Sequence, residues 1–203
     1  MFQFIVAVIS SVYVYQGGLD FLYIPFTTKI IKLGLFSIPL NVLVFLSAVN
    51  GVNLTDGLDG LCSLVTAVVL TAISCLILIQ INQNSEYYLV ISEYFSVSNY
   101  AFTIVGGLLG YLIFNMPKAS VFMGDTGSMF LGGMVVALAF AIDCPIILVL
   151  FGIIYVIEAL SDVIQIGYFK LTHGKRIFKM APIHHHFEMC GWKERKIVTI
   201  FTL

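Results

Sequence analysis

Two short segments of the sequence combine aspartates with glycines, a composition suited to binding a phosphorylated ligand. In NLTDGLDG, Asp56 and Asp59 are three residues apart, and a glycine follows each of them. In FMGDTGS, Asp125 is flanked by Gly124 and Gly127. Glycines allow the backbone to approach a ligand closely, and carboxylates can hold a hard cation such as Mg²⁺ that bridges phosphate oxygens. These segments therefore predict a site for a diphosphate substrate.

Each of these segments immediately precedes a predicted helix, which favours the same chemistry. Two helix N-termini can present free amides and positive dipole ends to a phosphate. The alternative is helix capping, in which Asp and Asn satisfy those amides without any ligand. Capping would explain Asp125 alone. It does not explain Asp56 and Asp59 together with Asn50 and Asn53 at a membrane surface, where unpaired carboxylates are costly.

The run His184-His185-His186 follows Pro182 in a strongly basic segment that is predicted to be a loop. Zinc sites need three or four ligands that converge on one point, and three consecutive side chains converge poorly. Imidazoles among seven cations favour an anionic phosphate or a hydrogen-bonded sugar instead. A solvated loop without a role in binding is the alternative.

A polar stripe interrupts one of the apolar segments. Glu158, Ser161, Asp162 and Gln165 have offsets of 0, 3, 4 and 7, which places them on one face of a helix. Because acids inside a membrane are expensive, this face should lie toward the protein interior or a wet cavity. Gln165, at the basic end, could reach a substrate, whereas Glu158 could equally serve packing alone.

The composition identifies the elements that must position these side chains. The 203 residues are 60% hydrophobic and 10% charged, whereas a soluble domain carries about 25% charged residues. The charge-free runs 33–55, 60–85 and 94–117 each exceed the roughly 20 residues that cross a bilayer as a helix. We predict an all-α, polytopic membrane protein with a single domain over residues 1–203 and no nucleic-acid partner. Its helices are expected at about 2–16, 34–50, 60–81, 99–115, 126–142 and 145–168, with another beginning near 196 and a short strand or hairpin within 82–98.

The distribution of basic residues predicts the orientation. Segment 169–196 holds seven of the ten Lys and Arg residues, and the positive-inside rule makes it cytoplasmic. Counting helices backwards then places all three polar clusters, at 50–60, 114–128 and 181–188, on the cytoplasmic face. This one-sided arrangement favours an enzyme that uses a cytosolic substrate.

The segments AVNGVNLTDGLDGL, VFMGDTGS, EALSDVIQ and FKMAPIHHHFE, in this order, resemble the phospho-N-acetylmuramoyl-pentapeptide transferase family. The resemblance runs from about residue 33 to the C-terminus, and APIHHHFE is its most specific part. It implies a multi-pass enzyme of the bacterial inner membrane, with its active site facing the cytoplasm. The implied reaction moves phospho-MurNAc-pentapeptide from its UDP-linked form to undecaprenyl phosphate. The products are lipid I and UMP, in the peptidoglycan synthesis that supports cell shape and division.

The resemblance also implies roles for individual residues, with Mg²⁺ as the cofactor. Asp125 resembles the magnesium ligand, and Phe122 resembles the aromatic side chain against the uracil. Catalytic residues are predicted to be Asp56, Asp59, Asp125, His184, His185 and His186. Substrate-binding residues are predicted to be Asn50, Asn53, Asn115, Phe122 and Gln165.

The chain also departs from the family pattern. It has no adjacent acidic pair, which the family carries on an earlier cytoplasmic loop, and it supplies fewer helices than family members. We therefore expect a partial chain that is inactive by itself. A transferase of N-acetylglucosamine phosphate within the same superfamily remains an alternative, as do a membrane transporter and a non-catalytic remnant. A second copy of the chain, forming a homodimer, is a candidate partner.

Overall fold

The computed structural model describes residues 2–25, 27, 29–83 and 88–203. Apolar segments bounded by glycine, proline or polar turns form most of the helices in these residues. The α-helices are α1 Phe2–Gln16, α2 Ser37–Thr55, α3 Leu61–Gln83, α4 Tyr88–Asn115, α5 Gly124–Ala141, α6 Ile147–Phe151, α7 Ile153–Leu171, α8 Ile183–Met189 and α9 Glu194–Thr202. The prediction of an all-α membrane protein is confirmed at the level of fold class.

A small β-hairpin between α1 and α2 is the one strand pairing within the described residues. Strand β1 (Phe21–Tyr23) pairs antiparallel with β2 (Ile30–Lys32), with Leu22 opposite Ile31. A 3-10 turn (Gly34–Phe36) then leads into α2. The aromatic and β-branched residues of both strands are typical strand formers, but the runs are only three residues long. Sequence reasoning did not identify this hairpin.

The core is centred on α3, which packs against α4, α5 and α9. Leu70, Ile73 and Ile77 on α3 are completely buried, as are Val135 and Val136 on α5. By contrast, α4 buries only its side toward α3 and exposes large apolar side chains such as Ile113 on the other. Exposed apolar faces of this kind suit contact with lipid.

Helix α2 crosses α5 and α7 at very short distances. A Cβ atom on Gly132 of α5 would lie 2.7 Å from the Cα of Val49 on α2, and one on Gly51 of α2 would lie 3.0 Å from Tyr155 on α7. Small residues at helix crossings let backbones approach closely, as is usual in membrane helix bundles. These crossings fix the C-terminal end of α2 beside the N-terminal end of α5.

Four of the six predicted membrane helices are long and apolar enough to span a bilayer, namely the segments Gly34–Thr55, Leu61–Ile79, Ser92–Asn115 and Gly124–Ala141. Helix α1 is apolar but shorter. The predicted helix over 145–168 is divided at Gly152, which caps the end of α6 and the start of α7. A Cβ on Gly152 would lie 2.7 Å from the carbonyl oxygen of Leu148, so the close packing at this break requires glycine.

Other predicted boundaries need correction. The expected strand or hairpin within 82–98 is wrong for residues 88–98, which form the first turns of α4, while residues 84–87 lie outside the described residues. The polar cluster at 50–60 is not all loop, because α2 continues to Thr55. The histidine run is not in a loop either, since it lies within helix α8. In each case packing against neighbouring helices stabilises helix where the local sequence favoured loop or strand.

Candidate active site at the end of the helix bundle

The end of α2 and the start of α5 meet through three polar side chains. The Asn53 amide Nδ2 donates hydrogen bonds to Oδ1 of Asp125, at 3.2 Å, and to Oγ of Ser128, at 2.9 Å. Asp125 lies in the first turn of α5, where the helix dipole favours negative charge. The carboxylate is exposed, so it remains accessible to a ligand. Asn50 lies one turn before Asn53 but donates to Leu46 O in its own helix.

Asp56 lies on the other side of this junction, directly after α2, and it is half-buried. Burial raises the pKa of its carboxyl group from the ordinary 3.8 to about 6, and the nearby negative charge of Asp125 adds to the rise. A hydrogen bond with the backbone of Gly124 opposes part of this increase. The two carboxylates are therefore close enough to repel each other.

Asp59 holds the loop between α4 and α5. Its Oδ2 accepts hydrogen bonds from the backbone amides of Lys118, at 3.1 Å, and Ala119, at 2.9 Å. Its own backbone amide donates to Oε1 of Glu194 at the start of α9, at 2.8 Å. These contacts give Asp59 a role in positioning the loop that carries Phe122.

Asn115 connects the same loop to the start of α3. Its Oδ1 accepts hydrogen bonds from the Gly60 amide and the Ser63 hydroxyl, and its Nδ2 donates to Val121 O at 2.9 Å. Phe122, one residue further, is 74% exposed. The turn between α2 and α3 (residues 56–60), the loop between α4 and α5 and the start of α5 enclose a cavity of about 210 Å³. It is lined by Asp56, Gly57, Leu58, Asp59, Asn115, Phe122, Met123 and Gly124.

His184 lies beneath this turn. Its Nδ1 is 2.9 Å from Oε2 of Glu158 on α7, and both side chains are completely buried. Its Nε2 faces Gly57 so closely that a Cβ atom there would lie 2.1 Å away. Glycine at position 57 is therefore required for this packing, because any larger residue would displace the imidazole or the turn.

The other two histidines have different partners. His185 contacts Glu188 within the same short helix. The Nδ1 of His186 accepts a hydrogen bond from the backbone amide of Lys179, and its Nε2 lies 3.8 Å from Sγ of Cys190. Of the three, the structure brings His184 against the turn that lines the cavity.

Gln165 is engaged by the basic loop that follows α7. Its Oε1 accepts hydrogen bonds from the backbone amides of Ile177 and Phe178, both at 3.1 Å, and its Nε2 donates to Phe178 O at 2.9 Å. The side chain therefore fixes the loop against α7. Of the polar stripe, Glu158 and Ser161 are buried and Asp162 is half-buried, as the stripe's predicted inward orientation requires.

The donor set at the junction fits Mg²⁺. This cation binds through one or two carboxylates and completes its coordination with water and substrate phosphates. Asp125 is an exposed carboxylate, and Asp56 is near enough for the two negative charges to interact unfavourably. Within the described part of the chain, no cluster of three or more His, Cys, Asp or Glu side chains could hold a metal by itself. A ligand phosphate would therefore have to share the cation with Asp125.

Comparison with known proteins decides the family. Residues 1–143 match the family model described as "Glycosyl transferase family 4", and this segment includes Asp56, Asp59, Asn115 and Asp125. The chain belongs to glycosyl transferase family 4.

Similar proteins include several named phospho-N-acetylmuramoyl-pentapeptide-transferase. The chain is 50% identical over 180 residues to one from Clostridium perfringens (strain SM101 / Type A), an alignment that covers 89% of this chain and 52% of the relative. It is 45% identical over 199 residues to one from Acetivibrio thermocellus, covering 97% of this chain and 57% of the relative. The chain thus spans about half the length of the curated relatives it matches.

In this glycosyl transferase family 4 chain, the cavity and its junction also depend on residues that sequence reasoning missed. Ser128 lies one turn after Asp125 on the same face of α5, so its helical spacing could have identified it. Glu194 is 135 residues from Asp59, and nothing in its local sequence pointed to the turn. Glu158 was recognised as polar and buried, but not as the partner of His184.

Proposed function

We propose that this chain forms the magnesium- and nucleotide-binding part of a phospho-N-acetylmuramoyl-pentapeptide transferase. The reaction transfers phospho-MurNAc-pentapeptide from its UDP-linked form to undecaprenyl phosphate and gives lipid I and UMP. The names of the relatives supply the reaction. The structural observation that supports it is that Asp56, which lines the cavity, lies close to Asp125 where α2 meets α5.

The residues present are suited to phosphoryl transfer, which depends mainly on positioning and charge neutralisation. Asp125 would hold Mg²⁺, which neutralises charge on the diphosphate when bound. Asn53 orients the Asp125 carboxylate, and the positive end of the α5 dipole lies at the same junction. Asp56 lies opposite Asp125, within range of its charge.

The cavity is suited to one part of this large substrate. Its volume of about 210 Å³ is below the roughly 300–1,000 Å³ of pockets that enclose a whole drug-sized ligand. Phe122 offers an exposed aromatic face at its edge, which can stack on a nucleobase such as uracil. Asp59 and Asn115 hydrogen-bond to the loop that carries Phe122. They would therefore affect nucleotide binding by fixing the position of Phe122.

The proposed location is the bacterial inner membrane, with the site facing the cytoplasm. Four apolar helices support a membrane protein, and the basic loop that ends beside α8 lies on the same side as the site. The UDP-linked substrate would then be drawn from the cytosol and the lipid acceptor from the bilayer.

The test uses a full-length chimera in which this chain replaces the segment that it matches in the Clostridium perfringens relative. We expect Mg²⁺-dependent UMP release when the purified chimera is given polyprenyl phosphate and UDP-MurNAc-pentapeptide. The 203-residue chain alone should release no UMP under the same conditions. Release with UDP-N-acetylglucosamine but not with UDP-MurNAc-pentapeptide would instead identify the related sugar-phosphate transferase.

A further inference from the structure

Glu158 and His184 form a buried polar pair directly behind the candidate site. Oε2 of Glu158 is 2.9 Å from Nδ1 of His184, and neither side chain is exposed to solvent. The pair joins α7 to α8, two helices separated by the basic loop. Asp162, one turn after Glu158, is only half-buried, so Glu158 is the most enclosed residue of the polar stripe.

Each partner keeps one polar atom without a hydrogen bond within the described residues. These atoms are Oε1 of Glu158 and Nε2 of His184. Buried polar groups are normally paired, and leaving one unpaired carries a cost in stability. A role in packing alone does not account for this cost, because an apolar side chain of similar size would fill the space without it.

The two ring nitrogens of His184 therefore have different surroundings. An ionised Glu158 carboxylate only accepts hydrogen bonds, so with Glu158 ionised the proton of this hydrogen bond belongs to Nδ1 of His184. The hydrogen bond at one ring nitrogen decides which tautomer a neutral histidine adopts. With its proton on Nδ1, a neutral ring presents the lone pair of Nε2 to the turn that contains Gly57.

We propose that Glu158 is a positioning residue for His184. By accepting a hydrogen bond from Nδ1–H, it fixes the imidazole with Nε2 against Gly57, between Asp56 and Asp59 in the turn that lines the cavity. This inference rests on the proposed function, because it assigns Glu158 an effect on the reaction at that cavity. Glu158 acts through His184 and does not itself line the cavity.

The first experiment examines the ring of His184 itself. The chain is labelled with ¹⁵N-histidine and reconstituted in lipid nanodiscs, and loss of one signal in His184→Asn assigns the resonance. We expect a protonated Nδ1, in either the neutral ring or the imidazolium. The signal should move in Glu158→Leu and stay close to wild type in Glu158→Gln, whose amide oxygen can still accept. An unprotonated Nδ1 in the unchanged protein would overturn the inference.

The second experiment separates positioning from packing, and it uses the chimera. Hydrogen-bonding partners behind metal-ligating histidines typically contribute about 10–100-fold to activity, and we expect an effect of the same size for Glu158. We expect Glu158→Leu to lower kcat by about that factor with KM for the uridine substrate changed less than about threefold, and Glu158→Gln to restore most of kcat. The double variant Glu158→Leu/His184→Asn should lose no more than His184→Asn alone, since residues acting as a unit are not additive.

Asn41→Leu is the matched control, because it also replaces a buried polar side chain but lies near the opposite end of α2. It should leave kcat unchanged. An active chimera whose kcat is unaffected by Glu158→Leu would overturn the inference while leaving the proposed function intact. An unchanged chimera that releases no UMP would overturn the proposed function and, with it, the effect assigned to Glu158.

Discussion

The side-chain amide of Asn53 donates to Oδ1 of Asp125 across 72 residues of sequence, and so joins the last turn of α2 to the first turn of α5. Asn53 orients the carboxylate without neutralising it, because an amide carries no charge. No ion pair involves Asp125 among the residues that the structure describes. A carboxylate that is held in place without a cationic partner is suited to a cation that arrives with the substrate.

Replacing Asp125 by Asn should remove the proposed magnesium ligand without changing the shape of the site. Since cation stabilisation of a reacting phosphate is worth several kcal/mol, we expect UMP release by the chimera to fall by about 100-fold or more. The melting temperature in detergent should remain close to wild type, because Asp125 is exposed. Asp143→Asn, beyond the far end of α5, is the control and should keep full activity. Near-normal Mg²⁺-dependent release by Asp125→Asn would show that another residue holds the cation.

Replacing Gly57 by Ala should destabilise the protein, because the added Cβ would lie 2.1 Å from Nε2 of His184. Overpacking of this kind typically costs about 1–3 kcal/mol. Gly106→Ala provides the control. Gly106 lies within helix α4, and a Cβ atom there would meet no other atom within 4 Å. This variant should be neutral or slightly stabilising. Thermal unfolding of both variants in detergent measures the difference, and equal melting temperatures would contradict the close contact at Gly57.

Replacing Asp59 by Ala should release the loop between α4 and α5. The carboxylate accepts hydrogen bonds from two backbone amides there, and bonds to a charged group contribute about 1.5–3 kcal/mol. We expect faster hydrogen–deuterium exchange in residues 117–123, measured by mass spectrometry. Asp59→Asn keeps one accepting oxygen and should exchange more slowly than Asp59→Ala. The prediction fails if exchange in this loop is the same in all three proteins.

Replacing Gln165 by Leu should expose the basic loop after α7 to proteolysis. Three hydrogen bonds between this side chain and the backbone of Ile177 and Phe178 would be lost, while the size of the side chain would be similar. Trypsin should then cut faster after Lys175 and Arg176, as followed by intact mass. Gln16→Leu, at the end of α1, is the control and should leave the cleavage rate unchanged. Unaltered cleavage in Gln165→Leu would show that the loop is held by other contacts.

Much of the fold could be predicted because lipid imposes a simple rule on the chain. Every backbone polar group in a membrane must be paired internally, so a long apolar run such as 60–85 has to form a helix. The charge-free runs that form α2, α3 and the C-terminal part of α4 were recognised on this basis. The strand predicted within 82–98 was wrong for residues 88–98, which belong to helix α4. A weak alternation of polar and apolar residues is a poor guide to a strand when a helix packs alongside. The break at Gly152 depends on its contacts with Leu148 and Tyr155, which a hydropathy pattern does not contain.

The sequence by itself determined which side chains gather at one end of the bundle. Each crossing of the membrane reverses the direction of the chain, so counting the predicted helices assigns each loop to one side. This count places Asp56, Asn115, Asp125 and the histidine run on the same side of the membrane. Only the tertiary structure decided what each of them contacts. Hydrogen bonds depend on distances of about 3 Å between atoms that are far apart in sequence, and no local pattern specifies such distances. In the folded chain, Asp59 and Gln165 accept hydrogen bonds from loop backbone amides. Asp125 remains exposed, and His184 pairs with Glu158.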